Sequence, residues 1–441
     1  MQRGMWIAFR LANHVPHTAM RVLVLGASGL IGRHVATCLE AAGDVVVRAG
    51  RSSGVRIDLA DPATDWPRYL KNVDAVVNAV GIFQESDGAT FEAVHVDGPG
   101  RLFDACLRAG VRRVVQVSAL GADASATTPF HRSKRVADER LLFLPLDATV
   151  VQPSLVFSVE GPSTQLFLRL AALPVIPLPA GGHQPIQPIH VDDAASAICA
   201  LVHAPPRAWR GRRVALVGPR VLTLRQFLLA LRSQLHIEGQ PTFVLPRPLM
   251  HALARLGDKV PRALFNSDAW SMLERGNVAA PATISRLLGR EPSPPEHWIG
   301  DAMAPMLRLQ VQIPWLKAML RITLAAVWIW TAVVSVFVYP VADSVDLLVR
   351  AGVPETFTLP ALWLAAGLDL VLGVLTLAPL AESARRRLWA AQALLIVGYT
   401  AVITARLPEF WSHPYGPLSK NLPMLGVLWL LWTLDRGRKL D

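Results

Sequence analysis

Between Arg21 and Pro153, short valine-rich apolar runs alternate with stretches in which apolar positions recur every three to four residues. That alternation is the mark of βαβ units. It predicts strands over 21–26, 44–50, 74–81, 112–120 and 147–153, with an amphipathic helix over Leu30–Ala42 after the first. Strands joined by helices in this way assemble into a Rossmann-type doubly wound parallel sheet, an α/β fold. From 154 to about 310 prolines interrupt the pattern, which predicts only a small lobe of mixed helix and loop.

The pattern then changes in kind. No charge stands between Arg321 and Asp343, leaving 21 uncharged residues, about 30 Å of helix and so the thickness of a bilayer core. A second apolar stretch lies between Glu355 and Glu382 with Asp369 as its only charge, and a third runs from Leu388 to Ala405. Asn421–Leu434 has 14 residues, about 21 Å, and crosses only if its helix begins nearer Tyr415 and Lys420 snorkels. Four spans are expected, near 322–342, 357–380, 388–405 and 416–434. The chain therefore divides into an extension (1–19), the α/β domain with its substrate lobe (20–310) and an all-α four-helix transmembrane domain (311–441).

Composition agrees with a membrane domain and excludes disorder, since 52% of the 441 residues are hydrophobic and 17% charged, against about 25% charged in soluble domains. The net charge of +11 raises the possibility of nucleic acid. The longest basic run is only Arg385–Arg387 and no zinc or RNA-binding motif accompanies it, so a nucleic-acid partner is not expected. The basic excess flanks the spans instead. Arg308, Lys317, Arg321, Arg385, Arg386, Arg387, Arg436, Arg438 and Lys439 fall on one side, and Arg350, Arg406 and Lys420 on the other. By the positive-inside rule the richer side is cytoplasmic, which puts the α/β domain and both termini in the cytoplasm of an inner-membrane protein. The N-terminal apolar stretch Met5–Phe9 is shorter than the roughly 7–15 residues of a secretory signal, and the same location follows. Cys38, Cys106 and Cys199 lie far apart and form no Cys-x-x-Cys pair, so neither a disulfide framework nor a metal site is expected.

The first strand runs into Gly26-Ala-Ser28-Gly29-Leu30-Ile31-Gly32. Glycines at a strand-to-helix turn let the backbone reverse and approach a pyrophosphate, and the first N–H groups of the helix stabilise its charge. NAD-preferring folds place an acid after the second strand. Here Arg48 and Arg51 stand near that point, so NADP(H) is expected over NAD(H) through pairing with a 2′-phosphate, unless the two are simply solvated. Asp58 is placed to reach the adenine edge, and Asn78-Ala79-Val80-Gly81 closes the third strand at the carboxyl edge, where ligands bind.

Gly-Ala-Ser-Gly-Leu-Ile-Gly (26–32), Asn-Ala-Val-Gly (78–81), Val-Ser-Ala (117–119), Gln-Pro-Ser-Leu-Val-Phe (152–157) and Ile-His-Val-Asp-Asp-Ala-Ala (189–195) together resemble the extended and atypical short-chain dehydrogenase/reductases. The likeness covers roughly 20–310 and points to the branch that contains the NADPH-binding accessory subunit of respiratory complex I. It implies that Pro153 borders the cofactor, and that the 189–195 element ties the lobe to the nucleotide domain, with Asp192 or Asp193 as helix cap. The four-span region, with Pro-Tyr-Gly-Pro-Leu-Ser-Lys-Asn-Leu-Pro at 414–423, resembles small DoxX-like membrane proteins, some of them linked to quinone reduction.

In the dehydrogenase family a serine and a Tyr-x-x-x-Lys motif carry out carbonyl reduction. The resemblance maps these to Ser118 and Lys134 but puts Phe130 at the tyrosine, which has no proton to give. Lys134 keeps a role on the nicotinamide ribose, and His131 or Ser133 is the substitute acid to consider. Two functions are implied. One is a membrane-anchored NADP(H) oxidoreductase acting on a lipophilic substrate such as a quinone or isoprenoid. The other is a non-catalytic accessory, assembly or sensor protein, partnered by a membrane complex or by its own copies. A nucleotide-sugar epimerase ranks below both, because it too needs the tyrosine. Asp369, costly in lipid, is expected to face other helices, hydrogen-bonded to Tyr399 or Thr400 or against a quinone headgroup.

Overall fold

The computed structural model describes residues 19–435 apart from 87, 261, 262 and 415. The expectations placed on 1–18, Tyr415, Arg436, Arg438 and Lys439 lie outside the described residues. The chain forms two compact units that part between Val311 and Gln312.

The first unit is built on seven parallel strands: β1 (Arg21–Leu25), β2 (Val45–Gly50), β3 (Val55–Arg56), β4 (Ala75–Asn78), β5 (Arg113–Val117), β6 (Ala148–Pro153) and β7 (Arg212–Leu216). Their order across the sheet is β7-β6-β5-β4-β1-β2-β3. The direction of winding reverses between β1 and β4, which opens a crevice at the carboxyl ends of the strands. Valine dominates because both sheet faces are covered, and alternate residues of one strand feed opposite cores. Val22 and Val24 point to the layer of α1 (Leu30–Ala42) and α4 (Val191–His203), with Cys38 and Cys199 inside it. Leu23 and Leu25 point to the layer of α2 (Gly98–Arg108) and α3 (Pro129–Phe143), which encloses Cys106.

Arg113, at the start of β5, joins the sheet to the end of α4. Its guanidinium donates to the carbonyls of Leu201, Val202, Ala204 and Pro205 at 2.6–3.1 Å, and pairs with Asp147 at 2.8 Å. It thereby satisfies carbonyls that a helix end leaves without intrahelical partners.

Periodicity places β1, β2, β5 and β6 to within one to three residues. The strand expected over 74–81 ends at Asn78, because Ala79–Gly81 leave the sheet at its carboxyl edge. Two strands were not expected. β3 has only two residues on the outer edge, and β7 begins with exposed Arg212 and Arg213, so neither carries an apolar run. The lobe that follows β6 holds three two-stranded sheets, pairing 156–157 with 189–190, 185–186 with 222–223, and 176–179 with 242–245. Phe157, Leu168, Phe227 and Trp298 lie in its core, with the Phe157 and Trp298 rings 4.6 Å apart.

The second unit is helical. Its long helices are α5 (Ala304–Val333, whose first turns to Val311 belong to the first unit, continued by a π-helical turn to Val338), α6 (Thr358–Leu377) and α7 (Glu382–Arg406), with the shorter α8 (Asn421–Leu434). α5 begins at Ala304, 18 residues ahead of the expected 322, because the amphipathic residues before Arg321 continue the same helix. Among the described residues three helices are long and apolar enough to cross a membrane, whereas α8 begins at Asn421 rather than nearer Tyr415 and keeps only 14 residues. The interior carries polar pairs: Trp328 Nε1 donates to Gln392 Oε1 at 3.0 Å, and Gln392 Nε2 to Thr376 Oγ1 at 2.8 Å. Asp369 is buried as expected, but its Oδ1 has no hydrogen-bond partner among the described residues. The expected bond to Thr400 is not formed. That hydroxyl donates to Ile396 O and accepts from Asn421 Nδ2, both at 2.7 Å.

Candidate nucleotide-binding site

The turn from β1 into α1 has the geometry an anion needs. Gly26 takes φ +76°, which side chains disfavour, and a Cβ there would lie 2.8 Å from the Ala79 backbone. A Cβ on Gly32 would stand 2.1 Å from the Gly26 carbonyl oxygen. At Gly29 only that oxygen is near, at 3.2 Å, and no side chain caps the helix, so the first N–H groups from Leu30 and Ile31 face an open cradle. Ser52 Oγ meets Ser28 Oγ at 3.2 Å above it. A dinucleotide's pyrophosphate fits this cradle.

The two arginines assigned to the 2′-phosphate part company. Arg48 is turned back onto α1, its Nε and Nη2 on the Glu40 carboxylate at 2.8 and 2.7 Å and its Nη2 also on Thr37. The contact raises the arginine pKa and lowers that of Glu40. Odd and even residues of a strand face opposite ways, which puts Arg48 on the helix side. Arg51, one residue past β2, is exposed at the carboxyl edge. Asp58 is also exposed, its Oδ1 accepting from Ala60 N at 3.0 Å.

At the third strand's end Asn78 is buried, donating to Gln116 Oε1 at 2.8 Å and accepting from Val80 N at 3.2 Å. Gly81 borders Lys134, because a Cβ there would come 2.9 Å from Nζ. Lys134 is buried and donates to Val80 O and Val117 O at 3.1 and 3.2 Å. Burial lowers its pKa, opposed by the nearby Asp138. Ser118, also buried, donates to Asp138 Oδ2 at 2.5 Å. Burial pushes the Asp138 carboxyl up, against the pull of the serine and the lysine. Pro153 O accepts from Leu120 N at 2.9 Å and fixes the loop that carries Ser118.

Phe130, at the start of α3, sits among rings: Phe83 at 5.3 Å, Phe91 at 6.2 Å, His95 at 5.7 Å and His131 at 5.4 Å between centroids. His131 is buried against Gly121, with its pKa lowered to about 4 by burial and by Arg275, so it is neutral near pH 7. Ser133 spends its hydroxyl on Phe130 O and on His95 Nδ1, both at 2.9 Å. Neither is free to replace the tyrosine.

His95 and Asp138 are members of the site that the sequence reading lacks. Asp138 follows Lys134 by four residues and so shares its helix face, a signal that was available. His95 lies in a π-helical turn, Glu92–Asp97, for which no pattern exists. Its Nε2 accepts from Ile82 N at 3.0 Å, and burial lowers its pKa to about 3. An unfolded histidine titrates near 6.5, so below that pH the unfolded chain takes up a proton that the folded chain refuses, and stability falls with pH. His95→Gln should therefore flatten the dependence of unfolding free energy on pH between 6 and 4 by up to about 1.4 kcal/mol per pH unit. Urea melts across that range check this, and an unchanged slope would mean that His95 is protonated in the fold.

On α4, the expected aspartate cap is replaced by His190, whose side chain accepts from Asp192 N. Asp192 instead pairs with His34 at 2.8 Å. Asp193 holds Arg290 and the Ser293 N–H at 2.5 and 2.7 Å. The histidine takes the cap because both carboxylates have partners elsewhere.

Residues 22–216 match the NAD dependent epimerase/dehydratase family, and residues 325–429 the DoxX-like family. NADH dehydrogenase (ubiquinone) 1 alpha subcomplex subunit 9 of Arabidopsis thaliana is 28% identical over 286 residues, covering 56% of this chain and 67% of that one. The protein of the same name from Dictyostelium discoideum is 26% identical over 229 residues, 48% of this chain, and the present chain spans only 63% of its length. A nucleoside-diphosphate-sugar epimerase structure from Staphylococcus aureus superposes with a TM-score of 0.52 at 18% identity, covering 64% of this chain and 99% of that one, which shows the shared fold. The chain thus carries an NAD(P)-binding domain similar to the NAD dependent epimerase/dehydratase family and related to that NADH dehydrogenase subunit, followed by a DoxX-like domain.

Proposed function

We propose that this protein is a membrane-anchored NADP(H)-binding component that holds its nucleotide as a fixed ligand, and serves as an accessory or assembly factor of a membrane complex. The observation that carries the reading is that Phe130 puts no proton donor where the family's tyrosine stands, and the described polar groups beside it are committed to other partners. Phe130 has none, the Ser118 hydroxyl is spent on Asp138, and Lys134 is held by two carbonyls. In this reading Gly26, Ser28, Gly29, Leu30, Ile31 and Gly32 cradle the pyrophosphate. Asn78, Ala79, Val80, Gly81, Ser118 and Pro153 line the crevice, and Lys134 holds the ribose. The similarity to a subunit of NADH dehydrogenase favours the same role. The nucleotide domain lies on the cytoplasmic side of the spans, and a reporter inserted near Val345 checks the side.

One observation favours a second reading, hydride transfer from NADPH to a lipophilic acceptor such as a quinone or isoprenoid. Phe83, Phe91 and Phe130 surround the place where the acceptor would lie, and a reduced quinone can take its proton from water. The deciding experiment follows NADPH absorbance with detergent-purified protein and a panel of quinones and lipid aldehydes, for the wild type and for Phe130→Tyr. Background turnover in both is expected. A positioned acid is worth about 10²–10⁴-fold, so a gain of that size in the variant, or wild-type turnover at tens per second, would replace the first reading by the second.

Cofactor preference rests on Arg51. Arg51→Ala should weaken NADPH binding by roughly 10–100-fold, the worth of one charge-assisted pair, and leave NADH unchanged. Arg48→Ala should change neither, since Arg48 is committed to Glu40. Calorimetric titration of the three proteins checks this, and equal losses for both cofactors would remove the assignment.

A further inference from the structure

The second unit gathers cations where the uncharged stretches of two of its helices begin. Lys317 and Arg321 come from α5, and Arg385 and Arg386 from the first turns of α7. One buried carboxylate, Asp435 at the end of α8, serves this group. Lys317 pairs with it, Trp389 Nε1 donates to it at 2.9 Å, and Arg385 Nε stands 3.1 Å from it without the alignment of a hydrogen bond. Arg321 spends its donors on the carbonyls of Thr376 and Ala378 at 2.9 and 3.0 Å. Arg386 lies over the Trp432 ring at 4.5 Å. The Nε atoms of Arg385 and Arg386 are buried with no hydrogen-bond partner among the described residues. Glu382, the other acid of that turn, is exposed and has a contact of its own.

Among the described residues, Lys317, Arg321 and Arg385 gather about one carboxylate with Arg386 beside them, so cations outnumber acids in a place partly withdrawn from water. The placement also opposes helix energetics, because cations are disfavoured in the first turns of a helix, where the backbone dipole is positive. A buried guanidinium nitrogen without an acceptor costs stability unless an anion supplies one. The cluster lies where the uncharged stretches of α5 and α7 begin, in helices apolar enough to cross a bilayer, so it sits at headgroup depth, where the anions are lipid phosphates.

We propose that Arg385 and Arg386, with Lys317 and Arg321 behind them, form a binding site for the phosphodiester headgroup of an anionic phospholipid. The inference rests on the membrane-spanning reading of this unit. Flotation of the full-length protein with phosphatidylcholine vesicles in high salt tests that reading by itself, and failure to float would remove both.

The site is tested by titrating the detergent-purified full chain with phosphatidylglycerol, phosphatidylcholine and inorganic phosphate, following the melting temperature. Phosphatidylglycerol should raise it at concentrations at least tenfold below those at which phosphatidylcholine acts, and inorganic phosphate should not raise it. Arg385→Gln with Arg386→Gln should shift the phosphatidylglycerol midpoint roughly 25-fold higher, about fivefold per arginine. Arg350→Gln, the loss of one positive charge at a residue paired with Glu409, should leave it in place. If the double variant does not fold, Arg386→Gln alone should give the fivefold shift. Equal action of the two lipids, replacement of the lipid by inorganic phosphate, or an unmoved midpoint in the arginine variants would each overturn the proposal.

Discussion

Gly32→Val should leave the protein unable to hold NADPH. A Cβ at this position stands 2.1 Å from the Gly26 carbonyl oxygen and 2.7 Å from its carbon, both backbone atoms that cannot rotate away. The start of α1 would have to move off the end of β1, and the N–H groups proposed to hold the pyrophosphate would move with it. Losing two charge-assisted hydrogen bonds at about 1.5–3 kcal/mol each weakens binding at least ~100-fold. Fluorescence or calorimetric titration reads the loss, and the melting curve shows whether the sheet persists. A variant that melts like the wild type and binds NADPH normally would mean that the nucleotide does not sit at this turn.

Arg113→Leu should be the most damaging single change to the stability of the first unit. The guanidinium satisfies four carbonyls and the Asp147 carboxylate, and leucine supplies no donor for any of them. Removing one partner of a buried ion pair typically costs about 3–5 kcal/mol, which in a domain of this size lowers the melting temperature by roughly 10 °C. Calorimetry measures this directly. NADPH affinity, measured below the transition, should stay near wild type, because Arg113 lies at the opposite end of β5 from the nucleotide crevice. A change under about 1 kcal/mol would show that water replaces the guanidinium at the helix end.

Why some of this was readable in the sequence and some was not follows from the range of the interactions. β1, β5 and β6 are covered on both faces, and that demand writes continuous apolar runs into the chain. The phosphate turn is local, so its glycines are legible one by one. Arg48 and Arg51 looked equivalent, because a count of positions after a strand does not say which face a side chain takes; the structure turns Arg48 onto Glu40. β7 was invisible for the opposite reason to β1, since an edge strand with two leading arginines carries little apolar signal. His95 enters the site only through a π-helical turn, and its partners Ile82 and Ser133 are set by tertiary packing. In the membrane unit, hydropathy located the apolar stretches, but that α5 begins at Ala304 follows from helical continuity rather than from apolarity.

The cysteines give the first unit an internal reporter. Cys38 of α1 and Cys199 of α4 face the sheet from one layer, whereas Cys106 of α2 faces it from the opposite side, and all three are free and buried. Burial raises the thiols of Cys106, to about 12, and Cys199, so neither carries appreciable thiolate at neutral pH. An alkylating reagent can therefore modify them only during an opening of the fold, and its rate at each site becomes a clock for that opening. Labelling of Cys106 at the pace of Cys38 and Cys199 would mean that both helical layers detach as one cooperative piece. A faster rate on one face would identify the layer that comes away first.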